Sequence, residues 1–331
     1  MELRGKMMAL TIGLLAAGGV SAATPAGSTM GAVNSHLEAA KKAAGVDFKG
    51  VLGALCLPNP PREAAAGGAR GPRKTPARET WYAEPHQVFD NLYWVGTKNH
   101  SSWALKTSAG IIEIDTLFNY AANDEIVEGL KKLGQDPATI KYVIITHGHG
   151  DHDEGAKLLQ DKFGAHVVMS AADWDMIEKG PDMPGGKPKR DIIGTDGGKI
   201  TLGDTTVNLV LTPGHTAGTL SMIFPVKDRN RTVMVAYNGG TLTGAFGTDA
   251  ARWDQYIASQ KKMAAAAAKL GATAMITNHS EYDNAYEKAQ LSQLRRSEDR
   301  SPFEVGTDGV ARFFTVMAEC AEAMKLEATS K

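Results

Sequence analysis

The sequence predicts an α/β layered fold, with sheets inside and helices outside. Two observations carry this. Short apolar runs rich in Val, Ile and Leu alternate with segments of helical period from about residue 84 onward. Three loops bearing histidine each follow directly on one of those apolar runs, as loops do at the C-terminal ends of strands in layered α/β folds.

The first 23 residues are read as an export signal. Arg4 and Lys6 precede an apolar stretch over 7–20, and Val20-Ser21-Ala22 has the small residues of a cleavage site, with the cut at Ala22-Ala23. The stretch is shorter than the roughly 20 residues a bilayer span needs. The mature protein is therefore expected in the periplasm or outside the cell, with no membrane association beyond the signal; a retained anchor is the other reading. Residues 24–83 are read as an N-terminal extension and linker. An amphipathic helix is expected within 33–55, and 62–79, rich in Ala, Gly, Pro and Arg, as a linker. The catalytic domain is placed at 84–331.

Within it, 88–95 reads as two strand pieces around an Asp90-Asn91 turn. Residues 103–107 and 111–115 read as a hairpin through Ser108-Ala109-Gly110. Asn123 or Asp124 is the expected cap of a helix whose Ile126, Val127, Leu130 and Leu133 repeat at helical spacing, with Gly134 as its stop. A buried strand follows at 142–145, then a loop, a helix near 154–163 and a strand at 166–170. Residues 178–189 read as a loop near the cleft. Strands are expected at 200–202, 207–211, 219–226, 232–237 and 274–277, with a long Ala-rich helix over 249–269.

The chain has 331 residues, 43% hydrophobic and 22% charged, with a net charge of −1, so it is long enough for one large domain plus extensions. Near-neutrality removes any electrostatic case for nucleic acid. Cys56 and Cys320 can pair in an oxidising compartment or stand as separate buried thiols, and both readings remain open. Nothing in the sequence fixes the oligomeric state.

The chemistry is concentrated in Thr146-His147-Gly148-His149-Gly150-Asp151-His152. Three imidazoles and a carboxylate on one short loop suit zinc or a similar divalent ion. Four ligands so close in sequence cannot all reach one tetrahedral ion without strain, which points to two adjacent ions. His215, in Pro213-Gly214-His215-Thr216, and His279, in Asn278-His279-Ser280, complete the count. His147, His149 and His215 give one ion three imidazoles and an open position, as catalytic zinc requires. Asp151, His152 and His279 give the second ion a mixed set. His36, His86 and His166 read as structural or solvated, and His100 as a residue at the rim of the cleft. Asp115, ending its strand, is a candidate to orient a metal-bound histidine.

This pattern resembles the metallo-β-lactamase superfamily. The resemblance implies an αββα four-layer sandwich, over about 84 to the C-terminus, with a dinuclear zinc site on one edge. Val235-Ala236-Tyr237-Asn238-Gly239-Gly240-Thr241 lacks the bridging Asp of most hydrolases of the superfamily. The set is similar to the third subclass of class B β-lactamases, whose second zinc is held by Asp-His-His. Residues 89–97 are also similar to the opening strands of that subclass. Where it carries a Ser that helps hold the drug carboxylate, this chain has Asn238 to Thr241, and Asn238 or Thr241 is the expected substitute. The function implied is an exported enzyme with two zinc ions per chain. It would open a small-molecule cyclic amide, foremost a β-lactam, by a metal-bound hydroxide, with Asp151 orienting the nucleophile. Hydrolysis of another cyclic ester or amide is the alternative, and a non-catalytic metal-binding protein the third class.

Overall fold

The computed structural model describes residues 26–56, 74–241 and 246–330. The expected signal segment 1–23 and most of the expected linker lie outside them.

Seven strands form the first sheet, in the order β1 (His86–Phe89), β2 (Leu92–Trp94), β3 (Trp103–Thr107), β4 (Gly110–Ile114), β5 (Ile140–Ile144), β6 (His166–Ser170) and β7 (Ile192–Gly194). Five form the second, in the order β12 (Ala274–Thr277), β11 (Arg231–Asn238), β10 (Leu220–Asp228), β9 (Thr205–Leu211) and β8 (Lys199–Leu202). Alternation along each strand sends successive side chains to opposite faces. Ile112, Ile114, Ile144 and Val168 therefore meet Leu209, Met222, Phe224, Val235 and Ile276 between the sheets. Ile111, Val143, Val167 and Met169 face the other way.

The outer faces are covered by helices: α1 (Ala26–Ala44), α2 (Lys49–Cys56), α3 (Arg78–Trp81), α4 (Asn119–Ala122), α5 (Glu128–Lys132), α6 (Gly150–Asp153), α7 (Ala156–Phe163), α8 (Ala171–Lys179), α9 (Ala250–Lys269), α10 (Ser280–Asp283), α11 (Ala285–Ser292) and α12 (Gly306–Thr329). Leu130, Leu159 and Trp174 cover the first sheet. Trp253, Tyr256, Phe313 and Phe314 cover Val210, Ile223, Ala236 and Met275 of the second, together with Val51 and Leu55 of α2. Three apolar interfaces between four layers are the αββα sandwich. No helix among the described residues is long and apolar enough to cross a membrane.

Several expectations are corrected. The helix expected to start at Asn123 or Asp124 begins at Asn119, and Asn123–Val127 is a turn of π-helix with no side-chain cap. The helix expected near 154–163 is α7, and the single turn α6 before it had no expectation. Strand β7 and helix α8 had no expectation. The helix within 33–55 is a pair, α1 and α2, broken at Gly45, which takes φ +54°. Both lie in the outer layer beside α12, and Cys56 and Cys320 are joined as a disulfide with Cα atoms 5.0 Å apart.

What the topology does for function is to align strand ends. Strands β4 and β5 run parallel, as do β11 and β12, and β9 shares the direction of β11 across β10. The loops after β4, β5, β9, β11 and β12 thus leave on one edge of the sandwich. The two sheets are tied there by the Leu220 N–H, which donates to the Thr146 carbonyl at 2.8 Å.

Candidate metal centre

Strand β5 runs out at Ile144, and its continuation cannot stay extended because Thr146 is held. Its N–H donates to Asp115 Oδ1 at 2.7 Å and its hydroxyl to Asp115 Oδ2 at 2.9 Å. The chain then turns through the histidine loop into α6. His147 is buried, and its Nδ1 lies 3.0 Å from the Gly239 carbonyl. That carbonyl can only approach because residue 239 is glycine: a Cβ there would sit 1.8 Å from the Leu220 carbonyl. His215 is placed by the turn after β9, its Nδ1 2.6 Å from the Thr241 carbonyl. Arg252 of α9 donates to the Gly214 and His215 carbonyls at 2.9 and 2.7 Å, fixing that turn.

The result is two donor sets side by side. In the first, ligand atoms of His147, His149 and His215 all lie within 4.8 Å of one another. His215 Nε2 and His149 Nδ1 are 3.0 Å apart. His147 Nε2 is buried with no hydrogen-bond partner among the described residues, an imidazole nitrogen left for a ligand, since buried polar atoms are almost always satisfied. Burial, with His215 and His152 nearby, pushes the His147 pKa well down, and burial, with His149 and His152, pushes His215 down to about 3. Both rings are neutral at pH 7, the form that ligates a metal.

The second set is a triangle. His152 Nε2 lies 3.2 Å from Asp151 Oδ2, His279 Nε2 3.4 Å from the same oxygen, and the two nitrogens 3.2 Å apart. Donors on a tetrahedral zinc, with bonds of roughly 2.0 to 2.1 Å, stand about 3.3 Å apart, so the triangle fits one face of such a site. His152 is oriented from behind by Asp115 Oδ2, 3.0 Å from its Nδ1, and Tyr237 O–H donates to the same oxygen at 3.0 Å. A carboxylate behind a ligating imidazole is the arrangement metal sites use to fix the tautomer. Burial opposes charge on Asp151, but His152 and His279 outweigh it and hold the carboxyl far below its usual range.

The six residues expected as ligands therefore converge, and Asp115 stands where an orienting carboxylate was expected. Asn238 does not reach the cleft, which corrects its assignment as a substrate contact: it is fully buried and its amide donates to the Gly240 carbonyl at 3.2 Å. Thr241 is also buried and serves His215 through its carbonyl. His100 stands against the second set, its Nε2 3.6 Å from Asp151 Oδ2. His36 and His166 pair with Glu319 and Asp191, away from the site.

Sequence reasoning missed Arg252, Tyr237 and Asp173. Asp173, in the first turn of α8, accepts from the Thr216 hydroxyl at 2.8 Å and the Gly148 N–H at 3.3 Å, joining two ligand loops. Burial raises its pKa to about 6 against those bonds. The sole sequence signal for it was Ser170, which caps α8 three residues earlier.

The comparisons agree with this geometry. A sequence profile of the metallo-β-lactamase superfamily matches residues 95–228. Over 71% of this chain and 91% of the other, the structure is similar to BJP-1, a subclass B3 metallo-β-lactamase of Bradyrhizobium japonicum, with a TM-score of 0.61 and 28% identity. It is similar in fold to the FEZ-1 metallo-β-lactamase from Legionella gormanii, with a TM-score of 0.62 and 22% identity over 71% of this chain and 92% of that one. Among curated proteins it is 34% identical over 85 residues to a hydroxyacylglutathione hydrolase of Acidiphilium cryptum, 26% of this chain and 31% of that protein. The chain thus spans about a third of the length of that relative.

Proposed function

We propose that this metal-dependent hydrolase, which carries the metallo-β-lactamase superfamily domain, is an exported dinuclear zinc enzyme that opens the amide of a β-lactam ring. The observation that carries the reading is the pair of adjacent donor sets, three imidazoles beside Asp-His-His, with Asn238, Gly239 and Gly240 rather than a carboxylate at the end of β11. Likeness to subclass B3 enzymes over most of the chain supports it.

Zinc bound there would lower a water pKa from 15.7 toward about 7 and polarise the scissile carbonyl. The chain does the rest. His147, His149 and His215 would hold one ion. Asp151, one of the donors of the second set, would orient the attacking water by accepting a hydrogen bond from it. The water oxygen joins the carbonyl carbon, the C–N bond breaks, and a proton passes to the departing nitrogen.

Two observations keep a second reading, hydrolysis of another cyclic ester or amide. Asn238 and Thr241, the expected holders of a drug carboxylate, are buried. A curated relative is named a hydroxyacylglutathione hydrolase, so the hydrolysed bond could also be one outside the β-lactams. The test is hydrolysis of a chromogenic cephalosporin with and without a chelator, beside a panel of lactones and acyl-glutathione thioesters. Chelator-sensitive cephalosporin turnover is expected. Turnover confined to lactones or thioesters would overturn the β-lactam reading and leave the metal hydrolase standing.

A further inference from the structure

We propose that His100 is a fourth protein ligand of the second ion, a role that rests on the dinuclear reading above. The Asp151, His152 and His279 donors form one triangular face of a tetrahedron, and a tetrahedral site needs one more vertex, about 3.3 Å from each. His100 Nε2 is 3.6 Å from Asp151 Oδ2, and ligand atoms of His100, Asp151 and His279 all lie within 4.8 Å of one another. The His100 and His152 ring centroids stand 6.5 Å apart, against 5.1 Å for His152 and His279, so the His100 imidazole must swing by about 1 Å toward His152 to take the vertex.

The position is built rather than incidental. The loop carrying His100 pairs with the loop carrying His279: the Ser101 N–H donates to the Asn278 carbonyl and the Ser280 N–H to the Asn99 carbonyl, each at 2.9 Å, and the two histidines form an isolated antiparallel bridge. One backbone register therefore places both rings, whose centroids are 5.0 Å apart. The ring is turned as a ligand's would be. Its Nδ1 faces the Thr97 hydroxyl at 3.4 Å, and the same oxygen accepts the His100 backbone N–H at 3.0 Å. Phe118 lies edge-on to the ring at 5.2 Å. A ligating histidine has its second nitrogen engaged in this manner, with the first directed at the metal.

The consequence is an asymmetric centre. The first set offers three imidazoles and an open position, whereas His100, Asp151, His152 and His279 close the second in the way four protein ligands close structural sites. Substrate would then be engaged at the first set, with the second ion fixed beside it.

Metal retention tests this without recourse to turnover. Zinc-loaded parent and His100→Asn protein are dialysed against a graded metal-buffering chelator, and zinc is counted per chain by mass spectrometry. The parent should hold two ions. His100→Asn should lose the second ion at chelator strengths ten-fold or more weaker, while keeping the first. Equal melting temperatures of the two metal-free proteins would show that the variant folds. Should it not fold, long-range nitrogen–proton spectra of the unaltered protein decide, because zinc should move the His100 Nε2 signal to the metal-bound region. Two ions released alike by parent and variant, or an unmoved His100 nitrogen beside two bound ions, would overturn the ligand role and leave the dinuclear reading intact. A parent holding a single ion would remove both.

Discussion

Asp115 shows how much of this centre depends on one side chain that touches no substrate. It sits at φ +60°, a left-handed conformation costly for a residue with a Cβ, and is buried. Its two oxygens meet the Thr146 N–H and hydroxyl, His152 Nδ1 and the Tyr237 hydroxyl. Asp115→Asn would turn one acceptor into a donor facing donors. We expect metal-free stability to fall by about 1 to 3 kcal/mol, and affinity for the second ion to fall roughly 10- to 100-fold. Chemical unfolding and chelator dialysis measure the two. Unchanged zinc retention would mean that His152 needs no carboxylate behind it. His147→Ala, by contrast, removes a ligand whose Nε2 has no internal partner, so it should empty the first site with a smaller loss of metal-free stability. The six candidate ligands were legible in the sequence because donor-rich residues followed strands. Arg252, Asp173 and Gly239 were not, because what they do is defined by carbonyls and amides brought near only by the fold.

Elements were legible where period and punctuation agreed. Asp249 caps α9 by accepting from the Arg252 N–H at 3.1 Å, and the Ala-rich run continues to Lys269 as expected. The helix around Glu125 was misread because Asn123 and Asp124 look like caps, whereas the chain passes through them in a π-turn. Such turns displace side chains from their usual spacing. Here the turn buries Glu125, whose Oε1 accepts from the Ala83 N–H at 3.0 Å while Oε2 has no partner among the described residues. Burial pushes its carboxyl up to about 9; the Ala83 bond and Arg78 oppose this, and Asp124 and Glu84 add to it. The folded chain then keeps a proton that the unfolded chain, with a pKa of about 4.3, releases. The contribution of this group to stability is therefore fully present below about pH 4.3 and is lost as pH rises toward about 9. Glu125→Gln keeps the acceptor for Ala83 and does not titrate. Its melting temperature should decline less than the parent's between about pH 6 and pH 9. Parallel profiles for the two proteins would refute the burial argument.

At the scale of the whole molecule, the N-terminal helices were the hardest part to place, since nothing in 24–83 states what it packs against. The answer is α12 and the segment that follows His279. His36 pairs with Glu319 at 2.6 Å, and Arg312 donates to the Ala43 carbonyl at 3.1 Å. Gly50 of α2 lies so close to α10 that a Cβ would stand 2.9 Å from the Glu281 carbonyl, just beyond His279. The Cys56–Cys320 bond closes this arrangement across 264 positions of sequence, enclosing the whole sandwich. A cross-link over so long a loop restricts the unfolded chain most strongly, and small-protein values run at about 2 to 4 kcal/mol. It also persists only in an oxidising compartment, which supports the proposed export. A Cys56→Ser, Cys320→Ser double variant should therefore unfold at lower temperature and lower denaturant. Zinc retained by the first set should not change, because His147 and His215 are held by Gly239, Thr241 and Arg252 rather than by α2. The second set, braced through α10, should show any loss of metal. Melting curves of parent and double variant, each with zinc counted, separate the effects. Identical melting would show that the bond is not formed in solution and would remove its support for export, whereas loss of zinc from the first set would show that the N-terminal helices hold the whole edge of the sandwich.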